Sequence, residues 1–164
     1  MEQGARNKFT ICVAAESDAA AVAQLMTELN EAVGASGLAP GADRAPENVI
    51  VSEEQARRRL RAMASVETAL LAEVDGVPAG LVSVRIVPYL SQDVLFAEVT
   101  ELYVTPSRRR LGIARSLMTR AEEMARAQGC TSVHVIAAQS NAEAISFYRA
   151  VGYGALYVGF EKFL

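Results

Sequence analysis

Residues 99–114, Val-Thr-Glu-Leu-Tyr-Val-Thr-Pro-Ser-Arg-Arg-Arg-Leu-Gly-Ile-Ala, constrain the fold of this chain more than any other stretch. An apolar strand-like run ends at Pro106, a basic turn follows, and a helical pattern opens on Gly112. A helix N-terminus presents unpaired backbone N–H groups and the positive end of the macrodipole. Arg108, Arg109 and Arg110 add full charges just ahead of it. Gly112 lets the backbone approach a ligand with no Cβ in the way. Together these features describe an anion site suited to a phosphate or pyrophosphate. They point to a phosphate-bearing cofactor, and so to an enzyme.

The remaining pattern surrounds this unit with alternating elements. Phe9–Ala14 reads as a strand, and Ser17 or Asp18 caps a helix to about Val33 with Val22, Leu25, Met26 and Leu29 on one face. Residues 34–46, rich in glycine and proline, form a loop long enough to be functional or mobile. Ser52-Glu53-Glu54-Gln55 is a capping box opening a helix to about Ala64, with Leu60 and Met63 inward and the arginines outward. Thr68–Val74 and Val77–Pro88 are strands joined by the hairpin signal Asp75-Gly76. Val94–Val104 is a further strand. Gly112–Gln128 is a helix stopped by Gly129. Thr131–Ala138 reads as a central buried strand, Asn141–Ala150 as a helix ended by Gly152, and Leu156–Leu164 as a last strand. The order β-α-α-β-β-β-α-β-α-β predicts one α/β domain over residues 1–164, a mixed and mostly antiparallel sheet with helices on both faces.

Composition removes several classes of function. A net charge of −3 argues against non-specific nucleic-acid binding. No apolar run is long enough to span a bilayer, and Met1–Ala15 lacks a secretory layout, so no membrane association is expected and the expected location is the cytoplasm. Cys12 and Cys130 have no metal or redox spacing and read as buried free thiols. His134 is the only histidine, which leaves no Ser-His-Asp triad and no multi-histidine zinc site, and no metal is expected. His134 itself reads as structural. Neither a phosphate-binding Gly-x-x-x-x-Gly-Lys loop nor a Gly-x-Gly-x-x-Gly fingerprint is present. Cys130 has no adjacent base, which disfavours a covalent route through its thiol.

Two blocks carry a resemblance. Arg109-Arg110-Leu111-Gly112-Ile113-Ala114 is similar to Arg/Gln-x-x-Gly-x-Gly/Ala, the pyrophosphate signature of the GNAT N-acetyltransferase superfamily. Asn141 to Tyr153 resembles that family's Asn-x-x-Ala-x-x-Phe-Tyr-x-x-x-Gly-Tyr/Phe, one helix, one strand and one helix further on. Arg110 stands where glycine is frequent, and Ala114 takes the small-residue position. The resemblance covers about Phe9 to Leu164 and implies acetyl-CoA as donor and an amine as acceptor.

It also implies roles. The diphosphate would lie on the N–H groups of Arg110, Leu111, Gly112, Ile113, Ala114 and Arg115, with Arg109 as its main side-chain partner. Leu102, Tyr103 and Val104 would lie where strands splay and pair with the pantetheine arm, the Val104 N–H polarising the thioester carbonyl. Tyr148 holds the position of the general acid, and a phenol with a pKa of about 10 would arrive protonated. Asn141 would either contact the CoA arm or cap its helix. Glu98 and Glu101 are the candidate bases. Strict strand alternation puts them on opposite faces, unless a bulge intervenes.

Acceptor specificity falls to residues 34–51, the loop Pro88–Asp93 and the last strand. Asp43, Glu47, Asp93, Glu98 and Glu101 favour a cationic small molecule such as an aminoglycoside or polyamine, whereas Arg44 and Arg85 would suit an aminoalkylphosphonate. The layout around Ala97–Leu102 and the aromatics Tyr157, Phe160 and Phe163 resemble the small-molecule branch of the family. Two alternatives stand beside it, an acetyltransferase of protein N-termini or lysines and a non-catalytic acyl-CoA-binding module. The apolar ending is compatible with a homodimer.

Overall fold

A computed structural model describes residues 9–35 and 50–155. The predicted last strand with Tyr157, Phe160 and Phe163 lies outside the described residues, as do Asp43, Arg44 and Glu47. The elements are β1 (Phe9–Val13), α1 (Ala19–Ala35), α2 (Glu53–Met63), β2 (Glu67–Val74), β3 (Val77–Pro88), β4 (Leu95–Val104), α3 (Ile113–Ala127), β5 (Cys130–Val135) and α4 (Ala142–Ala150). The strands lie in the order β1-β2-β3-β4-β5. The pairings up to β4 are antiparallel and β4–β5 is parallel, as the mixed sheet requires.

Local chemistry sets the boundaries. Ser52 Oγ accepts a hydrogen bond from the Gln55 N–H at 3.1 Å, which caps α2. Asp18 accepts from the Ala15 N–H at 2.7 Å across a short 3-10 turn, so α1 starts at Ala19. Asp75 and Gly76 both take positive φ, 52° and 76°, the geometry of a two-residue hairpin turn. Gly34, expected in the loop, is still helical.

Alternation along β2, β3 and β4 divides the core into two layers. Leu70, Ala72, Val82, Val84, Ala97 and Val99 pack under α3 with Ile113, Leu117 and Met118. Ala69, Leu71, Leu81 and Tyr103 pack on the other face with Leu25 of α1 and Ala56 of α2. Arg61 of α2 pairs with Glu16 in the turn ahead of α1, 2.6 Å away, and the Val51 N–H, just ahead of α2, donates to Thr27 Oγ1 of α1 at 2.9 Å.

Two expectations need correction. Among the described residues β5 is not a fully buried strand. It stands last in the described order, stops at Val135 and is only half-buried. Its residues do alternate, Val133 and Val135 facing the α3 layer while His134 stacks on the Phe96 ring at 4.6 Å, and the apolar Ile136-Ala137-Ala138 lies beyond the strand. The cysteines are free but not buried. Cys130 is half-exposed and Cys12 exposed, because α1 covers β3 and β4 and α2 covers β2, while β1 lies at the end of the sheet.

Gly80 fixes how closely β3 and β4 approach at the end of the sheet. A Cβ there would stand 2.7 Å from the Tyr103 carbonyl oxygen and 3.1 Å from Val104 Cγ2. Backbone cannot yield as a side chain does, so Gly80→Ala is expected to destabilise the fold by about 1–3 kcal/mol in denaturant unfolding. Unchanged stability would show that β4 moves freely at this point.

Candidate active site

The last residues of β4 are positioned by where β5 stops. The parallel pairing ends at Val99 and Val135, and β4 continues to Val104 without β5 beside it. The Thr105 N–H donates to the Ala79 carbonyl at 3.0 Å, which marks residues 105 and 79 as a hydrogen-bonded pair. In an antiparallel ladder such pairs alternate. Val104, opposite Gly80, and Leu102, opposite Val82, therefore turn their N–H and C=O groups away from β3, into the gap that β5 leaves. Tyr103 does the reverse. Its backbone faces β3 and its buried ring packs in the α1–α2 layer, so the pantetheine contact expected of it is not available from its backbone. Burial, together with a hydrogen bond to the Glu28 carboxylate, holds the Tyr103 phenol above its ordinary pKa.

Just beyond, the chain makes the anion cradle. Arg110 and Gly112 both adopt positive φ, 64° and 82°. This accounts for the departure noted at Arg110, since a non-glycine residue there bears roughly 1–2 kcal/mol of left-handed strain. Ile113 is buried and anchors the first turn of α3 against the core. The Ile113, Ala114 and Arg115 N–H groups lie in that first turn, where a helix supplies no internal acceptor. A Cβ on Gly112 would meet nothing within 4 Å, so the space above the turn is open to a ligand. These residues fit a diphosphate. The Leu111 side chain packs inward on the core. Arg109 lies beside the gap, Nε donating to the Val104 carbonyl at 3.3 Å and Nη1 3.6 Å from Glu143. Arg115 donates to the Ala150 carbonyl at 3.5 Å, tying the start of α3 to the end of α4.

The second motif shapes α4. Asn141 Oδ1 accepts from the Ala144 N–H at 3.0 Å, so its side-chain oxygen serves as the helix cap. At the other end Gly152 has φ 101°, the Gly152 N–H donates to the Arg149 carbonyl and the Tyr153 N–H to the Tyr148 carbonyl. This is a Schellman closure, and it explains the Gly-Tyr that ends the motif. The Tyr153 hydroxyl donates to Glu122 at 3.0 Å on α3. Between these fixed ends the Tyr148 ring packs on the core layer that holds Val104 and Ile113, edge-on to Phe147 and Tyr153. Burial raises the Tyr148 pKa above the ordinary 10.

A β-bulge decides between the candidate bases. Glu101 pairs with Ser83 and Val99 with Val84, which leaves Thr100 as an extra residue on β4. The slip cancels the odd spacing between Glu98 and Glu101 and brings both to the face of Ser83 and Arg85, under α1 and α2. Glu98 is spoken for by Arg85, 2.7 Å away. Glu101 has no basic partner at ion-pair distance among the described residues, and burial raises its carboxyl above the usual 4.5. Thr100 Oγ1 lies 2.5 Å from Glu101 Oε2 and also hydrogen-bonds Glu67 Oε1, to which Ser83 Oγ donates at 2.5 Å. Glu67, at the start of β2, was not foreseen, because nothing local to a strand's first residue signals a partner far along the chain. Asp93 stays exposed in the turn between β3 and β4, apart from this cluster.

Three features therefore lie on or beside β4: the Val104 N–H turned away from β3 in the plane of the sheet, the Tyr148 ring in the α3 layer, and the Glu67–Thr100–Glu101 cluster on the α1–α2 face. None of the described helices is long and apolar enough to cross a membrane.

The sequence profile of the acetyltransferase (GNAT) family matches residues 42–153. A stretch of 55 residues, 34% of this chain, is 40% identical to the catalytic subunit of an N-terminal acetyltransferase B complex of Schizosaccharomyces pombe, of which it spans 31%. Among solved structures, a ribosomal-protein-alanine N-acetyltransferase from Brucella melitensis biovar Abortus is similar at 20% identity and a TM-score of 0.75, covering 95% of this chain and 99% of that one. An aminoglycoside acetyltransferase from an uncultured soil metagenomic sample, in complex with sisomicin, is similar at 21% identity and a TM-score of 0.75, covering 95% and 96%.

Proposed function

Because this chain belongs to the acetyltransferase (GNAT) family, whose members take the acetyl group from acetyl-CoA, we propose that it delivers that group to a primary amine on a small cationic molecule, by direct transfer. The observation that carries this reading is the bulge at Thr100, which sets Glu101 on the face of the gap opposite Tyr148. Glu101 takes a proton from the acceptor ammonium. The amine nitrogen forms its bond to the acetyl carbon as the carbon–sulfur bond breaks, Tyr148 gives its proton to the departing sulfur, and the proton that the new amide nitrogen then sheds restores the Tyr148 phenol. The Val104 N–H donates to the thioester oxygen as negative charge gathers there. The first turn of α3 and Arg109 hold the diphosphate. Carboxylates at Glu67, Glu98 and Glu101 favour a cationic acceptor over a phosphonate, since Arg85 is already committed to Glu98.

A second reading has its own support. The stretch similar to the N-terminal acetyltransferase subunit favours the N-terminal amine of a protein as acceptor.

Release of CoA, followed with a thiol reagent, separates the two when sisomicin, spermine, an aminoalkylphosphonate and peptides with free N-termini are compared. Turnover confined to sisomicin or spermine is the expected result. Turnover of peptides alone would establish the second reading, and acetyl-CoA binding without turnover of any of them would favour a binding module. In the same assay Arg109→Ala is expected to raise the KM for acetyl-CoA by roughly 10–100-fold through loss of charge-assisted hydrogen bonds, with little change in kcat. An unchanged KM would remove Arg109 from the cofactor site.

A further inference from the structure

Two carboxyls on different strands lie against one hydroxyl. Thr100 Oγ1 is in hydrogen-bonding contact with Glu67 Oε1 from β2 and with Glu101 Oε2 on its own strand, and lies 3.5 Å from the Ser83 carbonyl. A hydroxyl has one proton to give. It serves one carboxylate, and the other contact is repulsive unless that carboxyl carries a proton and donates it to Thr100. Ser83 Oγ spends its own proton on the same Glu67 oxygen. The hydrogen-bond inventory is complete only with one further proton between the two acids.

We propose that Glu67 is a positioning residue for Glu101, the two carboxyls holding one proton in common across the Thr100 hydroxyl until its release to solvent arms Glu101 as the base. This rests on the role given to Glu101 above. Once that proton has left, both acids are ionised. The acceptor ammonium then passes a proton to the Glu101 carboxylate and becomes the amine whose lone pair attacks. When the new N-acetyl product leaves, the proton taken by Glu101 is again held in common with Glu67 across the Thr100 hydroxyl, which is the resting state. The cycle needs no other reactant.

The charged groups facing Glu101 make the coupling asymmetric. Glu67 on β2 raises its pKa and Arg85 on β3 lowers it, while Glu98, on the same strand, is neutralised by Arg85. Glu28 and Glu31 of α1 act on Tyr103, two residues further along β4. Glutamine at position 67 keeps an acceptor for Ser83 and Thr100 but removes the acid, so it isolates the proton from the packing.

Carboxyl titration of the whole protein, labelled with carbon-13 at the glutamate side-chain carboxyl and followed by NMR, reads the coupling without any acceptor. In Glu67→Gln the Glu101 midpoint is expected to fall by about one pH unit, a like charge having been removed, and its two-step curve to become single-step. Thr100→Ser should keep the two-step curve. A Glu101 midpoint unchanged in Glu67→Gln overturns the shared proton. With the acceptor that turns over, the acid limb of the kcat/KM profile should move to lower pH in the same variant. If the titration shifts but Glu101→Gln still transfers acetyl at the full rate, the shared proton stands and the base role assigned to Glu101 falls.

Discussion

Glu101→Gln is expected to lower kcat/KM for acetyl transfer by about 10²–10⁴-fold, the range for loss of a positioned proton acceptor, while leaving the folded protein as stable at neutral pH or more so. The second half follows from the sign of the shift. Burial raises the Glu101 pKa above 4.5 in the folded protein. A carboxyl raised in this way contributes stability below its unfolded pKa, and that contribution is lost as pH rises through the folded value. Where Glu101 is ionised, the native chain holds a half-buried acid in the form that burial disfavours, and glutamine relieves this without changing shape. Thermal unfolding at pH 5 and pH 8 checks it, the variant gaining on the wild type at the higher pH. The activity loss should be smallest at high pH, where the acceptor amine is already partly neutral. Equal rates in variant and wild type near neutrality would transfer the base role to another group. Glu98→Gln provides the contrast. That carboxylate is committed to Arg85 at the half-exposed edge of the cluster, so its loss frees a cation and should weaken binding of a cationic acceptor more than it slows the chemistry.

The sequence shows some of this directly and leaves other parts dark, for physical reasons. Elements bounded by their own chemistry were legible: the Ser52 cap, the Asp75-Gly76 turn, the Gly129 and Gly152 stops, and the Gly112 opening of α3 each act within a few residues. Position in the sheet was less legible, because it depends on what lies alongside. The apolar tail after Val135 made β5 look fully buried, and the flanks of Cys12 and Cys130 made exposed or half-exposed thiols look buried. The bulge had no local mark. Neither glycine nor proline stands near Thr100, and the extra residue is set by pairing with β3. For that reason the choice between Glu98 and Glu101 stayed open in the sequence, and Glu67 was out of view until the sheet brought β2 beside β3 and β4.

Tyr148→Phe is expected to lower kcat by about 10²–10⁴-fold with little change in the KM for acetyl-CoA, since what is removed is one oxygen and its proton. The ring stays on the core layer of Val104 and Ile113, and among the described residues the hydrogen bonds that hold α4 in place come from Asn141, Gly152, Tyr153 and Arg115, not from this hydroxyl. Burial raises the phenol above its ordinary 10, so the midpoint of any basic limb from this group in the wild-type rate should lie above pH 10. Tyr153→Phe is the opposite case. It breaks the bond to Glu122 and should reduce stability by about 0.5–1.5 kcal/mol while sparing kcat. The acid role has a sharper signature in the donor. A sulfur leaving as the anion of an aromatic thiol needs no proton, so an acetyl thioester of such a thiol should be turned over nearly as well by Tyr148→Phe as by the wild type. A variant as slow with that donor as with acetyl-CoA would mean that the hydroxyl orients the thioester rather than protonating the sulfur. Val104 and Glu101 would then carry the chemistry from the two sides of β4 that the bulge and the end of β5 leave open.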